Sequence, residues 1–152
     1  MESMTTNPTS VIDESAFSVR RTIRIAAPIE KVWTAVTEPE HISKWFGQAT
    51  FAGRGVGAIG TLSWPGHVSP VRVEALEEPN LVAYRWSDAT EIEDSNSTVF
   101  TFTLESVSGG TQLTVVETGF EKKADPAAEL ADHRGGWNSE LDKLVVLLES
   151  TS

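Results

Sequence analysis

The residue of this sequence best suited to chemistry is Glu117, a carboxylate predicted to point into the protein interior. It follows Leu113 and Val115 at alternate positions, and alternate residues of a strand share one face. A buried carboxylate is costly unless it is paired, and burial raises its pKa. We therefore interpret Glu117 as a candidate hydrogen-bonding group or general base at the floor of a cavity. The alternatives are a strand end in solvent and a structural ion pair with Arg21 or Arg85.

Large aromatic side chains are numerous for one small core: the chain has five Trp, six Phe and one Tyr. Ligand pockets are mostly apolar with a few placed polar groups, so a cavity lined by these rings would suit a flat or hydrophobic molecule. For any single ring the alternative is that it fills the core. The candidate ligand-binding residues are Trp45, Phe46, Trp64, Trp86, Phe100, Phe102, Glu117, Trp137 and Leu141.

Other motifs argue against metal, cofactor and nucleophile chemistry. His41, His67 and His133 have no metal-ligand spacing, so we expect no metal and no cofactor. His133 either reaches a ligand or serves at the surface or as a cap. The absence of cysteine excludes disulfides, thiolate zinc sites and cysteine nucleophiles. Residues 55–60 spell GxGxxG, but they lead into a strand instead of opening a helix, which indicates a loop at a cavity rim.

Length and charge narrow the class of protein. A chain of 152 residues is expected to form one domain, which we place at residues 16–150. Residues 1–15 lack the features of a secretory signal, and we predict a disordered leader. The net charge of −10 repels phosphate backbones and anionic lipid, so nucleic acid and membrane surfaces are poor partners. No apolar run approaches the ~20 residues of a membrane span, and we expect a cytoplasmic protein.

Hydrophobic periodicity predicts one strand, two short helices, six strands and one long helix. The predicted strands cover residues 17–25, 49–51, 58–64, 68–77, 81–86, 97–107 and 111–120, and the predicted short helices cover 29–37 and 39–45. Asp125 and Pro126 open the long helix as N-cap and first helical residue. Its apolar stripe begins at Trp137. The pair Gly135 and Gly136 costs about 2 kcal/mol of helix propensity, which indicates a kink, a close backbone approach or a later helix start.

The element order has no strand–helix alternation, which indicates an α+β fold with an antiparallel sheet. One amphipathic helix cannot cover a flat sheet of six to seven strands, so the sheet should curl around it. Curling would leave a hollow between sheet and helix.

Four segments resemble the Hsp90-ATPase-activator-like branch of the START/Bet v 1 superfamily. They are residues 27–33, 37–47, 117–120 and 133–141. The resemblance implies the helix-grip fold, in which a curved antiparallel sheet grips a long C-terminal helix. The superfamily includes lipid carriers, polyketide cyclases and aromatases, and hormone receptors, so the resemblance specifies the fold more closely than the function.

These observations favour a binding module that holds an apolar or aromatic small molecule between the sheet and the Trp137 helix. An enzyme of the cyclase, aromatase or hydratase type, with Glu117 as its base, is the first alternative. The second is a stress- or chaperone-related interaction protein with a filled core, with homodimer formation left open.

Overall fold

A computed structural model describes residues 7–150, which form an eight-stranded antiparallel sheet curved around one long helix. The strands are β1 (Val11–Asp13), β2 (Ser18–Ile25), β3 (Gln48–Ala52), β4 (Ile59–Trp64), β5 (His67–Glu77), β6 (Leu81–Ser87), β7 (Ser97–Val107) and β8 (Gly110–Thr118). The helices are α1 (Ile29–Thr37), α2 (Pro39–Ile42) and α3 (Pro126–Ser150). The spatial strand order is β1-β2-β8-β7-β6-β5-β4-β3. The predicted helix-grip α+β class is confirmed.

The eighth strand comes from the segment predicted to be a disordered leader. Val11–Asp13 pair with β2, so the prediction of disorder is wrong for these residues. Side chains hold the segment in place, because the backbone N–H of Ser10 donates to Asn138 Oδ1 at 2.7 Å and Arg21 Nε donates to the Pro8 carbonyl at 2.8 Å. Residues 1–6 of the predicted leader lie outside the described residues.

The second short helix is shorter than the sequence predicts, ending at Ile42 instead of near residue 45. The chain turns inward after Ser43, and Trp45 is buried with its Nε1 donating to the Ala35 carbonyl at 2.8 Å. Burial of the indole against α1 therefore takes precedence over another helical turn.

The long helix α3 is continuous through Gly135 and Gly136, so the predicted late start is wrong. Asp125 caps it as predicted, accepting a hydrogen bond from the backbone N–H of Ala128 at 3.2 Å. A Cβ atom added at either glycine would meet no atom of the described chain within 4 Å. No other described part of the chain therefore packs closely against either glycine, as the sequence had suggested it could.

Aromatic rings fill the centre of the interior. Phe46 stacks on Trp137 with centroids 5.5 Å apart, and Phe100 lies 5.1 Å from Trp137 and 5.6 Å from Phe102. The space beside these rings is only about 10 Å³, room for one water at most. The hollow predicted at the centre is therefore filled, because the rings pack against one another in stacked, tilted and edge-to-face contacts.

Candidate ligand-binding site

The side chain of Glu117 is fully buried on β8 and accepts four hydrogen bonds. Its Oε1 accepts from His133 Nδ1 and from Trp137 Nε1, each at 2.8 Å. Its Oε2 accepts from Trp86 Nε1 at 2.8 Å and from the hydroxyl of Thr98. The donors come from β6, β7 and α3, so one carboxylate joins the sheet to the helix.

These four donors occupy the lone-pair positions of the carboxylate, of which there are about four. Glu117 thus has no vacant acceptor site directed at open space. The partners suggested by the sequence are wrong: Arg21 pairs with Asp142 at 2.7 Å and Arg85 lies 3.3 Å from Glu74.

The pKa of Glu117 shifts in the direction opposite to the prediction from burial. Desolvation raises this pKa, but hydrogen bonds from His133, Thr98 and Trp86 and the charge of His133 outweigh it, so the pKa is lowered. Desolvation lowers the pKa of His133, whereas Glu117, Glu129 and nearby acidic charge raise it, and the net shift is upward. Both shifts favour the charged forms, a carboxylate at Glu117 and an imidazolium at His133, whose Nε2 lies 3.6 Å from Glu129 Oε1.

An open groove of about 470 Å³ lies above this buried network, between the N-terminal half of α3 and the ends of β4 and β6. We call it the α3 groove. It is lined by Phe46, Trp64, Trp86, Ala131, Asp132, His133, Gly135, Gly136, Trp137 and Glu140.

The sheet side of the α3 groove presents ring carbons, since both indole N–H groups are engaged elsewhere. Trp64 Nε1 donates to the Phe46 carbonyl at 2.9 Å, and Trp86 Nε1 donates to Glu117. The centroids of the Trp64 and Trp86 rings are 6.1 Å apart. The helix side presents bare backbone at Gly135 and Gly136, both exposed. Apolar ring faces thus oppose a stretch of helix that has no side chains at these two positions.

Glu140 is the acidic group at the C-terminal end of this groove. Its side chain is 17% exposed, and Lys143 Nζ lies 3.1 Å away. Burial raises the pKa of Glu140, and Lys143 only partly offsets that effect.

The nine predicted site residues fall into three places. Phe46, Trp64, Trp86 and Trp137 line the α3 groove, and Glu117 lies beneath it in contact with two of them. The other four are core residues that do not line the groove: Trp45, Phe100, Phe102 and Leu141.

His133, Gly135, Gly136 and Glu140 line the groove but were not among the predicted site residues. For His133 the sequence carries a usable signal. It precedes Trp137 by one helical turn, and residues four apart lie on the same helix face, so a buried Trp137 places His133 beside it.

Within residues 7–150, no group of three or more His, Cys, Asp or Glu side chains could hold a metal ion. No helix in that range combines the length and the apolar character of a membrane span.

The family model described as activator of Hsp90 ATPase homolog 1-like protein matches residues 26–149. Protein MLL2253 from Mesorhizobium loti is 30% identical with a TM-score of 0.79, over 89% of this chain and 98% of that chain. DynU16, from the dynemicin biosynthetic locus, is 27% identical with a TM-score of 0.75, over 88% of this chain but 47% of its own. The Aha1 dimer from Colwellia psychrerythraea is 24% identical with a TM-score of 0.71, over 87% of this chain and 96% of that chain. No curated protein sequence matches this chain.

Proposed function

Because this chain belongs to the family of activator of Hsp90 ATPase homolog 1-like proteins, whose fold is of a ligand-binding type, we propose that it binds a flat apolar or aromatic small molecule in the α3 groove. The observation that carries the proposal is the pairing of the Trp64 and Trp86 rings with the bare helix surface at Gly135 and Gly136.

The dimensions and chemistry of the groove suit such a ligand. Its volume of about 470 Å³ lies within the ~300–1,000 Å³ typical of small-molecule sites. A planar ring stacked on an indole gains about 0.5–1.5 kcal/mol beyond its buried area. Without Cβ atoms at Gly135 and Gly136, a ligand can also contact the helix backbone. These features favour a thin, planar molecule over a bulky one.

Glu117 supports the groove as a positioning residue. Through one carboxylate it fixes the indole N–H groups of Trp86 and Trp137 and the imidazole of His133, and all three side chains line the groove. A general base must accept a proton from the substrate, and the acceptor positions of Glu117 are already filled. The geometry therefore favours binding over the cyclase, aromatase or hydratase alternative.

The test is a titration with 2-naphthol as the planar probe, followed by quenching of tryptophan emission. We expect a saturable change for the parent protein and its loss in Gly136→Leu, whose side chain would occupy the groove. The matched control is Ser139→Leu on the same helix, at an exposed position outside the groove lining, and it should bind like the parent. No saturable change in the parent, or equal binding by Gly136→Leu, would refute the proposal.

Homodimer formation is a separate proposal, supported by the dimeric Colwellia relative. The described surface also carries exposed apolar side chains, including Val56 and Val146. Light scattering after size-exclusion chromatography would give the mass directly, and a monomer at high protein concentration would contradict the proposal.

A further inference from the structure

A second groove, of about 630 Å³, lies at the other end of the sheet from the α3 groove. Strand β6 shows the separation, since Val82 and Tyr84 near its start line the second groove and Trp86 near its end lines the first. Trp33 of α1 and Phe51 of β3 complete an apolar floor. The function proposed above does not use this groove.

An ion pair closes one side of the second groove. Arg54 donates to both oxygens of Glu38, at 2.8 and 2.7 Å, and so ties the β3–β4 loop to the end of α1. Arg54 is 73% exposed, and exposed pairs of this kind contribute little to stability. Gly53 and Gly55 flank it with φ of +101° and +87°, a conformation that glycine adopts without strain. A ligand can therefore displace the ion pair between Arg54 and Glu38 at small energetic cost.

The charge at the rim is predominantly negative. Glu38, Glu40 and Glu78 line the groove, and Arg54 is the one cation among its lining residues within the described chain. Arg54 is already engaged by Glu38, whereas Glu40 and Glu78 are exposed carboxylates. An anionic ligand would meet an occupied arginine and two repelling charges. A cation would be attracted by the same field.

We propose that this second groove binds an apolar small molecule that carries one ammonium group. The apolar part lies on Phe51 and Leu76, and the cation lies at the rim between Glu40 and Glu78. Aromatic walls combined with carboxylates are the surroundings in which proteins hold quaternary ammonium groups. The proposal stands independently of ligand binding at the α3 groove.

The test is a titration of the full chain with benzyltrimethylammonium, followed by amide and indole N–H chemical shifts. We expect saturable shifts at Gly53, Gly55 and the Trp33 indole, with Gly135 and Gly136 unmoved. Benzyl alcohol, the uncharged control, should bind about twofold to fivefold more weakly, since it lacks the cation that the aromatic faces and the exposed carboxylates attract.

Two double variants each remove two negative charges, one at the rim of the second groove and the other elsewhere on the surface. Glu40→Gln with Glu78→Gln should weaken benzyltrimethylammonium binding by about threefold to tenfold. Glu105→Gln with Glu121→Gln removes two exposed carboxylates outside the groove lining and should leave binding unchanged. All four positions are exposed, so both double variants are expected to fold, which unchanged melting temperatures would verify. Equal weakening in both variants, equal binding of benzyl alcohol, or shifts confined to the α3 groove would overturn the proposal.

Discussion

Replacing Gly135 and Gly136 by alanine should stabilise the free protein while weakening ligand binding. Both glycines lie inside the continuous helix α3, and a Cβ atom at either position would meet no described atom within 4 Å. Alanine is favoured over glycine in a helix by about 1 kcal/mol per position. The double variant should therefore gain about 2 kcal/mol, which corresponds to about 4–8 °C in melting temperature for a chain of this size.

The same two methyl groups would project into the space that the proposed ligand occupies. Forcing a methyl group into a packed contact costs about 1–3 kcal/mol, so affinity for the planar probe should fall by at least about fivefold. Calorimetry measures the first effect and tryptophan quenching the second. Ser139→Ala is the control, since it raises helix propensity by about 0.5 kcal/mol outside the groove lining and should leave affinity unchanged.

The measurements of stability and of affinity test two different parts of the reasoning. Stabilisation with unchanged affinity would refute the placement of the ligand against the bare helix. A loss of stability would refute the reasoning about α3 itself, since it would mean that the glycines have a structural role that the free space around them does not explain.

Further outcomes follow from other contacts in the structure. Glu117→Gln should destabilise the protein by about 3–5 kcal/mol in urea unfolding, because its amide N–H₂ would face two of the four donors. The pair with His133 should contribute fully between about pH 4.5 and 6.5: stability is lost at lower pH as Glu117 passes through its lowered pKa, and at higher pH as His133 passes through its raised pKa. His133→Gln should flatten the alkaline limb of that pH–stability curve, and an unchanged limb would contradict the assignment. Gly60→Ala should be destabilising, with a lowered melting temperature, since its Cβ would lie 1.8 Å from the Thr50 carbonyl oxygen. Arg54→Ala should change the free energy of unfolding by less than about 1 kcal/mol, because the pair with Glu38 is exposed.

Much of the fold could be predicted from periodicity, because the buried faces are regular. The predicted helix over residues 29–37 coincides with α1, and the predicted strand over 97–107 coincides with β7. Errors occur where tertiary contacts outweigh local preference. Gly135 and Gly136 stay helical because Trp137 and the leucines after it pack against the sheet, and that burial exceeds about 2 kcal/mol of lost propensity.

The site was harder to predict than the fold. Strand parity correctly indicates that Glu117 points inward, because that inference needs only its own strand. Its partners lie on β6, β7 and α3, and a pattern within one strand does not set the register of another element. The filled centre could not be predicted from the sequence for a related reason. Whether rings leave a cavity or interlock depends on their mutual orientation, which composition does not specify.

An apolar residue at position 117 would avoid the cost of burying a charge, and replacing buried charged groups by apolar ones is often neutral or stabilising. An apolar side chain, however, would leave the indole N–H of Trp137 and the hydroxyl of Thr98 without an acceptor, and the indole N–H of Trp86 with only the Thr98 oxygen. Those donors would then be free to adopt other rotamers. The Glu117 carboxylate, with its acceptor positions filled, gives each of these donors a single favoured direction. It fixes the position of His133 in the same way. The buried charge thus stabilises one shape of the groove, which reduces the ordering that a ligand must impose when it binds.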